Sequence, residues 1–234
     1  EAASVFAEGD VPAGRSVQAV ATDGTIWPVQ VDVKRRHADG SLRHAIVSTV
    51  LPELTAAQKV NWQFRSVAAS DTGGQTATPQ DMLNAGFSGA VTITVAGVNY
   101  SVQLEQVLRN APVKTWLAGP IVSEWLLAAP LRDANGVAHP HLHARFAIRS
   151  YTGYGKAKVD VIIENNWAYQ AAPQNYNYDV QISLGGQTVF SQANLNHFHH
   201  ARWRKSFWWG GEPQLHLAHD TGYLIASKAV PNYD

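Results

Sequence analysis

The feature that most constrains the fold is a series of short alternating segments joined by glycine-containing turns. Val29, Val31 and Val33 share one face of a candidate strand, and Asp39-Gly40 separates it from a second candidate strand at residues 42–50. An Asp-Gly pair in this position is a strong short-range indication of a β-hairpin. Three further hairpins are predicted: about Gly97, between residues 141–151 and 156–164, and about Gly185-Gly186.

Many closely spaced strands predict an all-β fold, and we expect an antiparallel β-sandwich with a short C-terminal helix at residues 222–229. At 234 residues the chain is long enough for one large all-β domain or two small ones. We expect a single β-sandwich domain over residues 1–234. Because the sequence starts without Met or a signal peptide and stops just after the helix, we also expect a module of a longer chain that contains additional domains.

The charge composition argues against two classes of partner. Lys and Arg total 18, as do Asp and Glu, so the formal net charge is zero and no global field attracts nucleic acid or a membrane. The absence of cysteine excludes disulfides and thiolate metal sites. Abundant Trp, Tyr, Asn, Gln, Gly and Thr with few lysines are typical of secreted glycan-handling β proteins, so we expect an extracellular or virion-associated location.

Residues 196–209 combine three histidines, three Lys or Arg residues and three tryptophans. Interpreted as a strand, the block places alternate side chains on opposite faces. One face is predicted to be core or interface and carries Ala201, Trp203, Phe207 and Trp209, with His199 and Lys205. The other is predicted to bind an anionic, ring-shaped ligand such as an acidic sugar and carries His200, Arg202, Arg204 and Trp208.

The N-terminal quarter carries a family resemblance. The segments SVFAEGDVPAG, from Ser4, and WPVQVDVKRRHADGSLRHAIVSTVLP, from Trp27, pair a strand with a hairpin. This arrangement resembles the N-terminal β-sandwich of exo-rhamnogalacturonan-lyase-like bacterial and phage-associated proteins. In those lyases an α/α toroid supplies much of the catalytic cleft, and nothing in this sequence resembles one. The resemblance therefore implies a module of a polysaccharide-acting protein and transfers no catalytic residue.

Three functions follow as hypotheses. The preferred one is a carbohydrate-associated β-sandwich module that binds, or supports action on, an acidic polysaccharide. The second is a polysaccharide lyase that cleaves a uronate-containing glycan by β-elimination. The third is a structural or assembly domain of a phage tail or similar particle, whose aromatic faces would be buried against other subunits.

The lyase hypothesis needs a cation that neutralises the uronate carboxylate and a base that removes the adjacent proton. His200, Arg202 and Arg204 are the candidates for these roles, with Tyr223 as a further candidate. The competing interpretation is that the arginines pair with Asp or Glu of a neighbouring strand, and it is favoured. No Gly-x-Ser-x-Gly motif supports serine hydrolysis.

The candidate ligand-binding aromatics lie in two places. Trp208 belongs to the cationic face, whereas Trp167, Tyr169, Tyr176 and Tyr178 cluster in residues 165–178, which are expected to form a loop. Such a loop would stack on sugar rings or cover an open end of the sandwich.

Histidines at alternate positions raise the possibility of a metal site. His141 and His143 share one face of a candidate strand, and His197-Phe198-His199 repeats the spacing. A divalent metal site would draw on His141, His143, His199 and His219. The alternative, that these histidines are solvated or hydrogen-bonded to the backbone, is favoured, and no other cofactor is predicted.

Overall fold

A computed structural model describes residues 2–69, 74–167 and 169–232. The chain divides into two compact units, each described by itself below. The first unit comprises Glu1–Thr76, Leu117–Val122 and Gln214–Asp234, and the second comprises Ala77–Trp116 and Ser123–Pro213. Within the described residues, no helix is long and apolar enough to span a membrane.

The elements of the described residues are mostly strands, with three short helices. In chain order they are β1 (Ala2–Val5), β2 (Arg15–Ala21), β3 (Ile26–Trp27), β4 (Val29–Arg36), β5 (Leu42–Thr49), β6 (Trp62–Ala68), α1 (Pro79–Asn84), β7 (Gly89–Val95), β8 (Val98–Gln103), α2 (Leu104–Asn110), β9 (Lys114–Leu117), β10 (Val122–Arg132), β11 (Ala138–Tyr151), β12 (Lys156–Asn165), β13 (Tyr176–Leu184), β14 (Gln187–His197), β15 (Ala201–Trp209) and α3 (Thr221–Ala226).

The first unit contains two three-stranded antiparallel sheets, with strand orders β1-β5-β4 and β3-β2-β6. Alternate apolar residues of these strands form one core, which includes the fully buried Ala19, Leu42 and Ala45. Pro28, which has no N–H to donate, lies between β3 and β4. The candidate strand that carries Val29, Val31 and Val33 therefore begins after Pro28, and Ile26–Trp27 belong to the other sheet.

Gln30 fixes a distant segment in the first unit. Its side chain is 3% exposed, and its Oε1 accepts hydrogen bonds from the backbone N–H groups of Ile121 and Val122, each at 2.9 Å. Its Nε2 donates to the carbonyl oxygen of Val122 at 2.8 Å. A Cβ atom on Gly119 would lie 2.4 Å from the Gln30 side chain, so a larger residue there would displace this side chain from its hydrogen bonds. The glutamine of the Trp-Pro-Val-Gln segment thus has a structural role.

The second unit is built on one nine-stranded sheet. Its order is β14-β13-β7-β8-β10-β11-β12-β15, with β9 also paired to β10. The first and last strands of this order, β14 and β15, are joined by only three residues, so the sheet curls until its two ends approach each other. The enclosed face forms the core, which includes the fully buried Val159, Val161 and Ile163 of β12.

The predicted fold class is confirmed: the protein is all-β, with antiparallel sheets and a short C-terminal helix. All four predicted hairpins are present as β4–β5, β7–β8, β11–β12 and β13–β14. The helix α2 was not predicted. It follows β8 directly, and Gln103 at its N-cap makes no side-chain capping hydrogen bond, so the usual sequence indication of a helix start is missing.

Candidate functional site

The block at residues 196–209 is two strands joined by a turn. β14 ends at His197, residues 198–200 turn, and β15 runs from Ala201 to Trp209. The predicted alternation is confirmed for β15. His199 and His200 do not belong to it, because both lie in the turn, where His200 has a left-handed backbone with φ of 63°. His200 is exposed, and its ring centroid lies 3.9 Å from that of His199.

The outer face of β11, β12 and β15, which we call the cationic face, carries a local excess of positive charge. Directly paired residues of neighbouring strands share a face, and the buried valines of β12 identify the inner one. Six basic side chains therefore face outward: Arg145, Arg149, Lys156, Lys158, Arg202 and Arg204. Among the described residues, three carboxylates oppose them: Glu124, Asp160 and Glu164.

Buried carboxylates hold the arginines of the cationic face in place. Asp160 and Glu164 are 4% and 6% exposed. Asp160 pairs with Arg204, whereas Glu164 accepts a 2.6 Å hydrogen bond from Arg145 and lies 4.0 Å from Arg202. The side chains of Arg202 and Arg204 nevertheless remain 71% and 58% exposed. The predicted pairing with acidic residues of a neighbouring strand is therefore present, and both guanidinium groups remain accessible.

An aromatic pair lies at one end of the cationic face. The rings of Tyr151 and Trp208 are stacked across β12, with centroids 5.6 Å apart and an interplanar angle of 21°. Trp208 is half-buried and follows Arg204 by four residues on the same face. The face thus presents guanidinium groups and an indole in one row along β15.

The opposite face of β15 belongs to the core. Trp203, Phe207 and Trp209 pack against the apolar cluster of the second unit, as predicted. Trp203 Nε1 donates to the hydroxyl of Tyr178 at 2.8 Å, and that hydroxyl lies 2.9 Å from Nδ1 of His197. Tyr178 is 2% exposed and belongs to β13, so its predicted place in a ligand-binding loop is wrong. Burial raises the pKa of Tyr178 above its ordinary value.

The other predicted ligand-binding aromatics differ in their surroundings. Tyr169 is fully exposed, and Trp167 is 53% exposed with its ring 6.0 Å from that of His143. Tyr176 lies at the start of β13 rather than in a loop, and its hydroxyl is 2.5 Å from Nδ1 of His141. Only Trp167 and Tyr169 therefore belong to the exposed loop that precedes β13.

The predicted metal ligands are not gathered into a site. Among the residues that the structure describes, no group of three or more His, Asp or Glu side chains is placed to hold a metal ion. Both ring nitrogens of His141 have partners, since Nε2 donates to the carbonyl oxygen of Ala171 at 2.8 Å and Nδ1 faces Tyr176. His143 faces outward on β11, His199 lies in the β14–β15 turn, and His219 belongs to the first unit.

A cavity in the first unit has no counterpart in the sequence predictions. It has a volume of about 740 Å³ and is lined mainly by residues 2–6, 60–64, 217–220 and 223–224, together with Asp10, Val11, Val17 and Ser66. Tyr223 lies in its wall and donates a 2.7 Å hydrogen bond to Oδ2 of Asp10. Partial burial and this hydrogen bond raise the pKa of Tyr223 to about 12, so its hydroxyl is protonated at neutral pH.

No sequence pattern could have revealed this cavity, because its walls come from opposite ends of the chain.

Comparisons with models of known protein families, with curated protein sequences and with solved structures gave no match.

Proposed function

We propose that this protein is a carbohydrate-associated module that binds an acidic polysaccharide along the cationic face of its second unit. The observation that carries the proposal is the charge of that face: six basic side chains oppose three carboxylates in a chain with zero formal net charge. A polyanion would gain from this local field even though the whole chain offers none.

The ion pairs favour binding rather than preventing it. Each guanidinium group carries five N–H donors, so an arginine that contacts one carboxylate has donors left for a ligand. Asp160 also holds Arg204 through a hydrogen bond, so less freedom of this side chain is lost when a ligand binds. The exposed arginines can thus bind the carboxylates that recur along an acidic polysaccharide.

The spacing along β15 suits an extended polymer. Outward side chains follow one another at about 7 Å along a strand, so the row from Arg202 to Trp208 extends for about 20 Å. The indole of Trp208 would stack on one sugar ring while the guanidinium groups bond carboxylates of others. The resemblance of the N-terminal quarter to the sandwich of exo-rhamnogalacturonan-lyase-like proteins agrees with such a role, which would be exercised outside the cell or on a virion.

Binding is favoured over a complete lyase site. A β-elimination needs a base next to the cation that neutralises the uronate. The raised pKa of Tyr223 keeps its hydroxyl protonated at neutral pH, so Tyr223 would have to lose that proton before it could act as a base. His200 has a strained backbone in an exposed turn, so β15 does not hold its imidazole as it holds the arginines.

The proposal is tested by isothermal titration calorimetry with polygalacturonate, with uncharged dextran as the matched neutral polymer. We expect binding of polygalacturonate alone, with an affinity that falls as added salt screens the arginines. Equal binding of dextran, or an affinity that is independent of salt, would refute the charge argument.

The same samples distinguish the two other functions. An increase in ultraviolet absorbance from unsaturated product, lost in His200→Ala, would establish the lyase and overturn the binding-only proposal. Light scattering that detects a concentration-dependent oligomer, together with no affinity for polygalacturonate, would favour an assembly domain.

A further inference from the structure

The cavity of the first unit differs in charge from the cationic face. Asp10 and Asp220 are among its described lining residues, which include one histidine, His219, and no Lys or Arg. Arg15 hydrogen-bonds Ser66 at the edge of the cavity but does not line it. The charged side chains of this neutral chain are thus unevenly distributed. The first unit has an acidic cavity, and the second has a basic face.

The interior of the cavity is aromatic. Phe6 is buried, whereas Trp62 and Phe64 are only partly buried where they line the cavity. The rings of Trp62 and Phe64 meet edge to face, with their centroids 5.0 Å apart. The ring centroid of Phe64 lies 6.0 Å from that of Phe6. Tyr223 adds a fourth aromatic side chain. The electron-rich faces of such rings attract organic cations.

Both carboxylates have defined positions at the cavity. Oδ2 of Asp10 accepts the hydrogen bond from the Tyr223 hydroxyl, and Oδ1 of Asp220 caps α3 by accepting from the backbone N–H of Tyr223 at 3.1 Å. These hydrogen bonds come from uncharged donors, so they orient the carboxylates without neutralising them. A cation entering the cavity would meet two negative groups beside aromatic rings.

We propose that this cavity binds a small organic cation, a protonated amine or quaternary ammonium group carried on a ring-shaped or apolar body. The volume of about 740 Å³ is within the usual range for small-molecule sites. The carboxylates select against an acidic sugar, so this site and the cationic face would take ligands of opposite charge. A metal ion is a poorer match, because no three His, Asp or Glu side chains among the described residues are grouped so that they could hold one.

Three probes with one ring and different charges test the proposal: benzyltrimethylammonium, benzyl alcohol and phenylacetate, each titrated into the full chain by calorimetry. We expect the ammonium probe to bind at least about tenfold more tightly than the alcohol, and phenylacetate to bind most weakly. No binding of the ammonium probe at millimolar concentration, or equal binding of the alcohol, would overturn the proposal.

Charge-removing variants test the location. Asp10→Asn retains an acceptor for the tyrosine hydroxyl, and Asp220→Asn retains a good N-cap. Each variant should lower the affinity for the ammonium probe by about fivefold and leave the affinity for the alcohol unchanged. Glu53→Gln removes the same charge from an exposed position outside the cavity and should have no effect. Unchanged ammonium affinity in the folded double Asp variant would place the cation elsewhere.

Discussion

His139 should make the stability of the second unit depend on pH. Its imidazole is 7% exposed and lies edge to face between Tyr100 and Tyr176, with centroid distances of 4.9 Å. Its Nδ1 accepts hydrogen bonds from the backbone N–H groups of His141 and Leu142, at 3.2 and 2.9 Å. Burial, and then the neighbouring His141, lower the pKa of His139 to about 4. The folded protein therefore keeps this ring neutral under mildly acidic conditions.

The sign and size of the effect follow from the two pKa values. The unfolded chain binds a proton at His139 below pH 6.5, whereas the folded chain does so only near pH 4. The stabilisation is thus fully present above pH 6.5 and is lost as the pH falls towards 4. At about 1.4 kcal/mol per pH unit, the loss amounts to at most about 3 kcal/mol.

Urea denaturation of the wild type and of His139→Asn, at several pH values between 7.5 and 4.5, measures this contribution. Asparagine supplies a carbonyl oxygen for the same backbone N–H groups and does not titrate. We expect the wild type to be more stable at pH 7.5 and the difference to shrink by about 2–3 kcal/mol at pH 4.5. A difference that stays constant over this range would refute the reasoning.

Three further predictions, two of them with a matched control variant, test the structure of the chain. Tyr178→Phe removes a buried hydroxyl with two partners and should destabilise by about 2 kcal/mol in urea, against less than about 1 kcal/mol for the partly exposed Tyr176→Phe. Gly210→Ala would bring a Cβ within 2.2 Å of a backbone oxygen and should lower the melting temperature clearly more than Gly211→Ala, where the nearest atom is 3.9 Å away. Gln30→Leu leaves buried backbone groups without partners and should cost about 3 kcal/mol in urea. Equal effects within either matched pair, or a neutral Gln30→Leu, would contradict these contacts.

The sequence predicted the features that depend on local periodicity. Alternation along β15 correctly assigned Trp203 to the core and Arg202 to the outer face, because side chains of a strand change sides at every residue. It also indicated that acidic residues would pair with the arginines. The particular partners, Asp160 and Glu164, depend on the register of β12 against β15, which no local pattern encodes.

The sequence did not predict features that depend on distant residues or unusual backbone. The turn at residues 198–200 contains no glycine or proline, so His200 was assigned to a strand face. Tyr178 was placed in a loop because its neighbours are polar, whereas its hydroxyl is buried against another strand. The hydrogen bond between Asp10 and Tyr223 joins residues 213 positions apart, so the cavity emerges only in the folded chain.

The most direct test of the proposed function compares two variants with the same change in net charge. Arg202→Gln/Arg204→Gln removes two charges from the cationic face, and Arg35→Gln/Arg36→Gln removes two from exposed positions on β4. The cationic-face variant should bind polygalacturonate at least about tenfold more weakly than the wild type, whereas the β4 variant should stay within about twofold. Equal losses in both variants, or no loss in the first, would contradict recognition of the polysaccharide by this face.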